Sequence, residues 1–498
     1  MAVDYNLVIL GGSLTARYAA AIASEFKARV ALVEPQSFHA SYQGLDADVA
    51  IAQIFQQAAH DHALVSIFRP ESEPVSEKQL SEILLSGRDS VHTGLTHHLV
   101  QRFQDYSLDA LATQGVDVIV GRGPGETGEF CRRPHLGVVA DGRVLRSHAY
   151  LVTPASKPII PEIQGLESVP YFTLDTVLKK EFTIEGRAVI LGETPRSLEL
   201  AQALAQLRMA VTLVVQSPTF LPQEDWDVAQ WLLSTLEALG VDVLTGAIVT
   251  HVKSVGDEIQ VFLEDQVIDT DHLILATPRR ADFASLNLEA ASLYPEGGWL
   301  SVTQTLKTSN ARIYACGEAI APVSAPIIAQ YQALCAVKNA LFLPTRQWGD
   351  RHFPSLIQTT PPCGHVGLTE GQAKGRLNHK VVTLKIPLQT EAAGVVSRKY
   401  LRDQQTSFLT VIVHLNGTIL GAHCVGQAAG ELLVLFALAM NRRLSIDQVI
   451  SNYNCSGMYA DIFMHLSWAW ERERLKGDRR RQNILELVMN WQRDWSRG

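Results

Sequence analysis

The stretch Leu7-Val-Ile-Leu-Gly-Gly-Ser-Leu-Thr-Ala16 decides the fold. Its unbroken apolar start predicts a strand buried on both faces, and the glycines that follow predict a tight passage into a helix over Arg17–Glu25. A second apolar run, Val30–Glu34, predicts the next parallel strand. Strand, tight turn, helix and strand together make a dinucleotide-binding unit. Small residues let the backbone approach a pyrophosphate, and the helix N-terminus offers N–H groups and partial positive charge. Gly11, Gly12, Ser13 and Ala16 hold those places, with Ser13 where a third turn glycine is usual. Its hydroxyl is a candidate partner for a phosphate oxygen. Glu34 stands at the tip of the second strand, where a carboxylate accepts bonds from ribose hydroxyls.

The pattern recurs in Ala188-Val-Ile-Leu-Gly-Glu-Thr-Pro-Arg-Ser197, followed by a helical run Leu198–Leu207 and a strand Val211–Val215. Here Gly192, Thr194 and Ser197 take the small positions, and Pro195 suits a helix start. Gln216 occupies the place of a ribose-binding acid, so both NADH and NADPH stay open as ligands. Arg196 and Arg208 are each either partners for a phosphate or solvated surface residues.

Working outward, 498 residues suggest about three domains. A chain that is 47% hydrophobic and 19% charged is neither disordered nor collagen-like. A net charge of −8 argues against nucleic acid as a partner. No run of apolar residues is long enough for a transmembrane helix, and a cytoplasmic protein is expected. A helical region is expected over Val75–Gln114 and a strand pair over Val116–Val152. Pro-rich crossings lie at 154–162 and 354–362, and Ile313–Glu318 precedes a long apolar helix, Ile327–Leu341. The expected fold class is α/β, with two dinucleotide-binding (Rossmann-like) domains plus a C-terminal α+β dimerisation domain. Its boundaries are 1–155 and 276–345 for the first nucleotide domain, 156–275 for the second, 346–466 for the dimerisation domain and 467–498 for a tail.

This order, with Leu151–Glu167, Ile313–Glu318, His365–Glu370 and Ile419–Gly426, resembles the flavin-dependent pyridine nucleotide–disulfide reductases, the group that includes dihydrolipoamide dehydrogenase and mercuric reductase. The resemblance implies FAD on the first motif, NADPH or NADH on the second, and a homodimer through the C-terminal domain. It also implies that Gly317 and Glu318 hold the flavin's ribityl chain and that Glu199 lies near the flavin ring.

The departures from that pattern bear on function. The redox-active cysteine pair is missing: Gln43 and Asp48 stand roughly in its place, and the first cysteine of the chain is Cys131. The lysine just beyond the pair is absent, since residues 28 to 77 contain none, which leaves Glu199 without its expected partner. The C-terminal His–Glu pair is replaced by Tyr453 and Met458. Thr153-Pro and Thr277-Pro stand where Thr-Gly is usual, and the prolines are expected to stiffen the crossings. The resulting expectation is an FAD-dependent NAD(P)H oxidoreductase that reduces a non-disulfide acceptor, such as a quinone or a metal complex. Its pocket would be lined by His39, Tyr42, Gln43, Asp48 and Tyr453, with Glu199 beside the flavin. The alternative is a non-catalytic FAD-binding scaffold or redox sensor that docks through its tail.

No metal site is expected: His60/His62 and His97/His98 have spacings that do not converge on a helix, and Cys363-Gly-His365 lacks a second pair. The six cysteines read as buried thiols. The tail, with Ile484, Leu485, Leu487, Val488, Trp491 and Trp495 in one stripe, is an amphipathic helix. It is expected either to dock on its own dimer or to meet a partner or a membrane surface.

Overall fold

The structure is a computed structural model, and it describes residues 3–35, 106–121, 127–132, 135–177, 182, 185–321, 326–349, 352–388, 407–451, 461–477 and 479–495. Two compact units divide the chain: Met1–Phe220 with Thr235–Asp350, and Leu221–Ser234 with Arg351–Gly498.

In the first unit, β1 (Tyr5–Leu10), β2 (Val30–Pro35), β3 (Asp117–Gly121) and β4 (Ser147–Val152) form a parallel sheet, completed by Ile313–Ala315. The order is Ile313–Ala315, β4, β1, β2, β3. Leu7, Val8, Ile9 and Leu10 are all fully buried, which is why this run is apolar without alternation. Between β1 and β2 runs α1 (Leu14–Glu25), whose alanines 16, 19, 20 and 23 bring it close onto the sheet. The expected strand pair over Val116–Val152 is instead more elaborate. Short strands Thr127–Cys131, Gly137–Ala140 and Arg143–Leu145 form an antiparallel meander between the parallel strands β3 and β4. Most of the expected helical region 75–114 lies outside the described residues; its last part forms the short helix Leu108–Thr113.

The second parallel sheet contains β5 (Phe172–Thr173), β6 (Arg187–Leu191), β7 (Ala210–Val215), β8 (Asp242–Thr245) and β9 (His272–Leu275), in the order β8, β7, β6, β9, β5. Between β6 and β7 runs α2 (Pro195–Gln206), and α3 (Trp226–Ala238) precedes β8. The two Pro-bearing crossings pair with each other: Ser156–Pro158 lies antiparallel to Arg279–Ala281. Arg279 fastens this ribbon by donating to Ser156 Oγ (2.7 Å), Ser156 O (2.8 Å) and Asp175 Oδ1 (2.8 Å). After Ile313–Ala315, α4 (Pro326–Leu341) covers the first sheet beside α1.

The second unit is built on a five-stranded sheet of β10 (Ser355–Ile357), β11 (Cys363–Gly367), β12 (Val381–Pro387), β13 (Phe408–His414) and β14 (Ile419–Val425), ordered β10, β11, β14, β13, β12. One face carries Val366, Leu384, Ile386, Val411 and Cys424 and is closed by α5 (Ala429–Asn441) and α6 (Asp461–Gly477). The expected boundary at 466/467 falls within α6, because Trp470 is 2% exposed and donates to Asp447 Oδ1 (3.1 Å). The last helix, α7 (Arg479–Trp495), leaves Ile484, Leu487 and Trp491 exposed. Among the described residues, no helix is long and apolar enough to cross a membrane.

Candidate functional site: two nucleotide turns

Each parallel sheet presents a turn at the carboxyl end of its central strand, and the two turns are built alike. Gly11 has φ +144°, and a Cβ there would sit 2.0 Å from the carbonyl oxygen of Thr153. A Cβ on Gly192 would sit 2.3 Å from the carbonyl oxygen of Ala276. Only glycine fits where a turn presses this closely on the neighbouring crossing strand.

The N-caps match as well. Ser13 Oγ accepts the Ala16 N–H (3.2 Å) and donates to Thr153 O (3.0 Å). Thr194 Oγ1 accepts the Ser197 N–H (3.3 Å) and donates to Ala276 O (3.3 Å). The Ser13 hydroxyl, expected to offer itself to a phosphate, here serves the backbone of the turn. Ser197 is buried and donates to Thr194 O (2.6 Å). Gly12 and Ala16 are buried in the first turn. Both cradles fit a dinucleotide, since each sets a helix N-terminus against a strand end through a position that admits only glycine.

Glu34 is at the tip of β2 and fully buried, and it carries a partner that the sequence reading missed. Arg17, one turn into α1, places Nη2 2.6 Å and Nε 3.2 Å from Glu34 Oε1. Both side chains are almost completely enclosed. The signal was an arginine on the apolar face of an alanine-rich helix.

Glu199 is also fully buried, and Arg196 Nη1 lies 2.7 Å from its Oε2. The lysine expected as the partner of Glu199 is absent from the sequence, and a guanidinium three residues earlier on the same helix supplies a charge in its stead. Arg196 is correspondingly engaged, rather than a loose candidate for a phosphate. Gln216 is exposed at the end of β7. Next to it, the Ser217 N–H donates to Glu193 Oε2 at 3.1 Å, so a carboxylate from the glycine turn reaches the strand tip.

Gly317 follows Ile313–Ala315 with φ +64°, and its N–H donates to Gln332 Oε1 (2.8 Å). Gln332 is 2% exposed on α4 and so fixes the turn that presents half-buried Glu318. A glutamine among the apolar residues of this helix was the available signal for it.

Gln43, Asp48, His39, Tyr42, Tyr453, Met458 and Cys455, with His60, His62, His97 and His98, lie outside the described residues. Cys316, Cys335, Cys363 and Cys424 are buried thiols and Cys131 is half-buried. Burial pushes Cys316 and Cys424 up to about 12, far from thiolate reactivity. Among the described residues, no group of three side chains is arranged for a metal.

The second unit holds a polar cluster that sequence reasoning did not find. Strand register aligns Ser355, His365, His423, Thr410 and Lys385 in one row across the sheet. Glu224, Asp225 and Asp227 meet this row. Glu224 Oε1 lies 2.7 Å from His365 Nδ1, Asp225 Oδ2 accepts the Glu370 N–H (2.9 Å), and Asp227 Oδ2 pairs with Lys385 (2.6 Å). Burial pulls the His365 pKa down, but the hydrogen bond and charge of Glu224 outweigh it and leave it raised. Burial lowers that of His423, whose ring stacks on His365 at 5.6 Å.

Residues 5–340 match the family described as Pyridine nucleotide-disulphide oxidoreductase, and residues 353–462 match the dimerisation domain of that description. The chain is similar to the mercuric reductase of Staphylococcus aureus, at 26% identity over 456 residues, which span 90% of this chain and 79% of that protein. It is 28% identical to the mercuric reductase of Streptomyces lividans over 462 residues, 90% of this chain and 93% of that one. Among solved structures, it resembles the Cu(II) complex of the HOCl-induced flavoprotein disulfide reductase RclA from Escherichia coli. The TM-score is 0.75 at 21% identity, covering 94% of this chain and all of that one.

Proposed function

Because the chain belongs to the pyridine nucleotide–disulphide oxidoreductase family, whose members are FAD-dependent NAD(P)H oxidoreductases, we propose that it delivers electrons from flavin directly to an acceptor that is not a disulfide, such as a quinone or a metal complex. One observation carries this reading: the first cysteine of the chain is Cys131, so the segment after Glu34 has no thiol pair to relay electrons. Of the described thiols, Cys316 and Cys424 are held protonated by burial, which makes them poor relays.

When bound, FAD supplies a two-electron carrier between the nicotinamide and the acceptor. Gly11, Gly12, Ser13 and Ala16 would hold its pyrophosphate against α1, and Glu34, oriented by Arg17, would receive its ribose. Glu318, set by the Gly317–Gln332 bond, would meet the ribityl chain. Gly192, Thr194 and Ser197 would seat NAD(P)H against α2. Glu199 remains in the second motif with Arg196 as its cation, so the buried ionic pair is retained although the usual lysine is not. Gln43, Asp48 and Tyr453 are proposed to shape the acceptor pocket. The match of 353–462 to a dimerisation domain supports a homodimer.

The test is anaerobic mixing of the flavin-loaded protein with NADH or NADPH, followed by one acceptor at a time. The flavin band is expected to bleach and then to return with benzoquinone, but not with oxidised lipoamide or glutathione disulfide. Return with a disulfide at a comparable rate would sink the proposal. The exposed apolar residues of α7 favour a second reading, a flavin-binding platform for a partner. That reading predicts bound flavin that neither nucleotide bleaches.

A further inference from the structure

We propose that Glu193 selects the pyridine nucleotide. In this proposal its carboxylate replaces the ribose-binding acid missing at Gln216, and it favours the unphosphorylated adenosine ribose of NADH over the 2′-phosphate of NADPH. The inference rests on nucleotide binding at the second turn and is independent of the electron acceptor.

The second sheet ends in two neighbouring backbone features, the Gly192–Thr194 turn after β6 and the Gln216–Ser217 exit of β7. A dinucleotide seated on the N-terminus of α2 lays its adenosine ribose over the tip of the next strand. An acid on that tip would reach the ribose from below. Here the tip residue is neutral, and the acid comes from the turn. Glu193 is exposed, and its Oε2 accepts the Ser217 N–H at 3.1 Å, which draws the carboxylate across the gap between the two features. The contact between Gly192 and Ala276 O fixes the backbone from which Glu193 projects. One oxygen of the carboxylate is thus anchored on the strand exit, and the group lies where ribose hydroxyls would donate to it.

The surrounding charges point the same way. A 2′-phosphate brings a charge of about −1.5 to −2 and needs cations. Arg196 is engaged by Glu199 at 2.7 Å. Arg208 lies beyond the opposite end of α2, with φ +68°. Residues 209 to 225, which contain β7 and its exit, include no lysine or arginine. Among the described residues, then, neither Arg196, nor Arg208, nor the 209–225 segment offers a phosphate at this strand tip a cation to offset Glu193.

The test uses fragments without nicotinamide, so that flavin reduction does not enter. ADP-ribose and 2′-phospho-ADP-ribose are titrated calorimetrically into the full-length, flavin-loaded protein and into Glu193→Gln and Glu193→Ser. Circular dichroism and flavin content report on integrity, and the exposed position makes unfolding unexpected. The unsubstituted protein should bind ADP-ribose at least about tenfold more tightly. Glu193→Gln, which keeps the shape but not the charge, should gain affinity for the phosphorylated fragment. Glu193→Ser should also lose affinity for ADP-ribose, bringing the ratio near one. A ratio that neither substitution changes overturns the proposal, as does tighter ADP-ribose binding by Glu193→Ser, which would mark the carboxylate as a plug. If neither fragment binds any of the three proteins, the nucleotide reading of the second turn falls, and this proposal falls with it.

Discussion

Three buried carboxylates, each held by a cation or an imidazole, stand behind the polar sites of this chain. Arg17 and Arg196 approach Glu34 and Glu199 from within their own nucleotide units, each at hydrogen-bond distance. Such pairs contribute little net stability, because desolvation offsets the attraction, but losing one partner strands a charge. Their value is orientation: each guanidinium fixes where a carboxylate points. The third case titrates. His365 has a folded-state pKa raised above its unfolded value of about 6.5. The stability of its bond to Glu224 is therefore fully present below about pH 6.5 and is lost as pH rises through the raised value. His423 has the opposite sign: depressed by burial, it contributes above about pH 6.5 and loses that contribution as pH falls. Glu224, Asp225 and His365 are the charged groups acting on it. His365→Asn should cost about 1–3 kcal/mol at pH 6, and less at pH 8.5. Urea unfolding of both proteins across that range measures the gap, and a gap independent of pH would refute the assignment.

At the scale of elements, the two nucleotide units were legible because two strong signals coincide: an apolar run without alternation, and small residues where strand becomes helix. The paired crossings were partly legible, as Pro154 and Pro278 announce stiff segments but not that these segments pair. The meander between β3 and β4 was not legible, because strands as short as Arg143–Leu145 carry too few residues for a period to show. The Arg17–Glu34 contact joins a helix face to a strand tip, and no local pattern encodes it. Arg196–Glu199, by contrast, has the i, i+3 spacing that could have been read. The likeness of the two turns yields a paired prediction. Gly11→Ala would drive a Cβ onto the Thr153 carbonyl, and Gly192→Ala would drive one onto that of Ala276. The first should yield protein with little flavin that keeps its second sheet. The second should keep flavin but weaken NADH binding by about tenfold or more. Flavin absorbance and nucleotide titration separate the two, and equal loss of flavin in both variants would contradict the assignment of ligands to turns.

For the whole molecule, the question is where the second unit stops. Composition draws the line at a charged, Trp-rich tail, but packing draws it later, at the end of α6. Ile462, Phe463, Leu466 and Trp470 of α6 belong to the same core as the sheet residues Leu384 and Val411. Asp447 ties the helix down through Trp470 (3.1 Å) and Arg474 (3.0 Å). By contrast, α7 exposes Ile484 (58%), Leu487 (69%) and Trp491 (59%). Charge and tryptophan content are surface statistics, and they miss a buried stripe that starts earlier in the same helix. A chain ending at Gly477 should therefore fold, bind flavin and dimerise, with its melting temperature nearly unchanged. One ending at Leu466 loses a buried tryptophan along with the helix that carries it, at a cost of about 3–5 kcal/mol for the tryptophan alone. It should melt markedly earlier or fail to accumulate. Thermal unfolding and size-exclusion chromatography of the two truncations decide the point. If the 477 truncation is monomeric, α7 is part of the dimer contact; if the 466 truncation melts like the full chain, α6 is not part of the core.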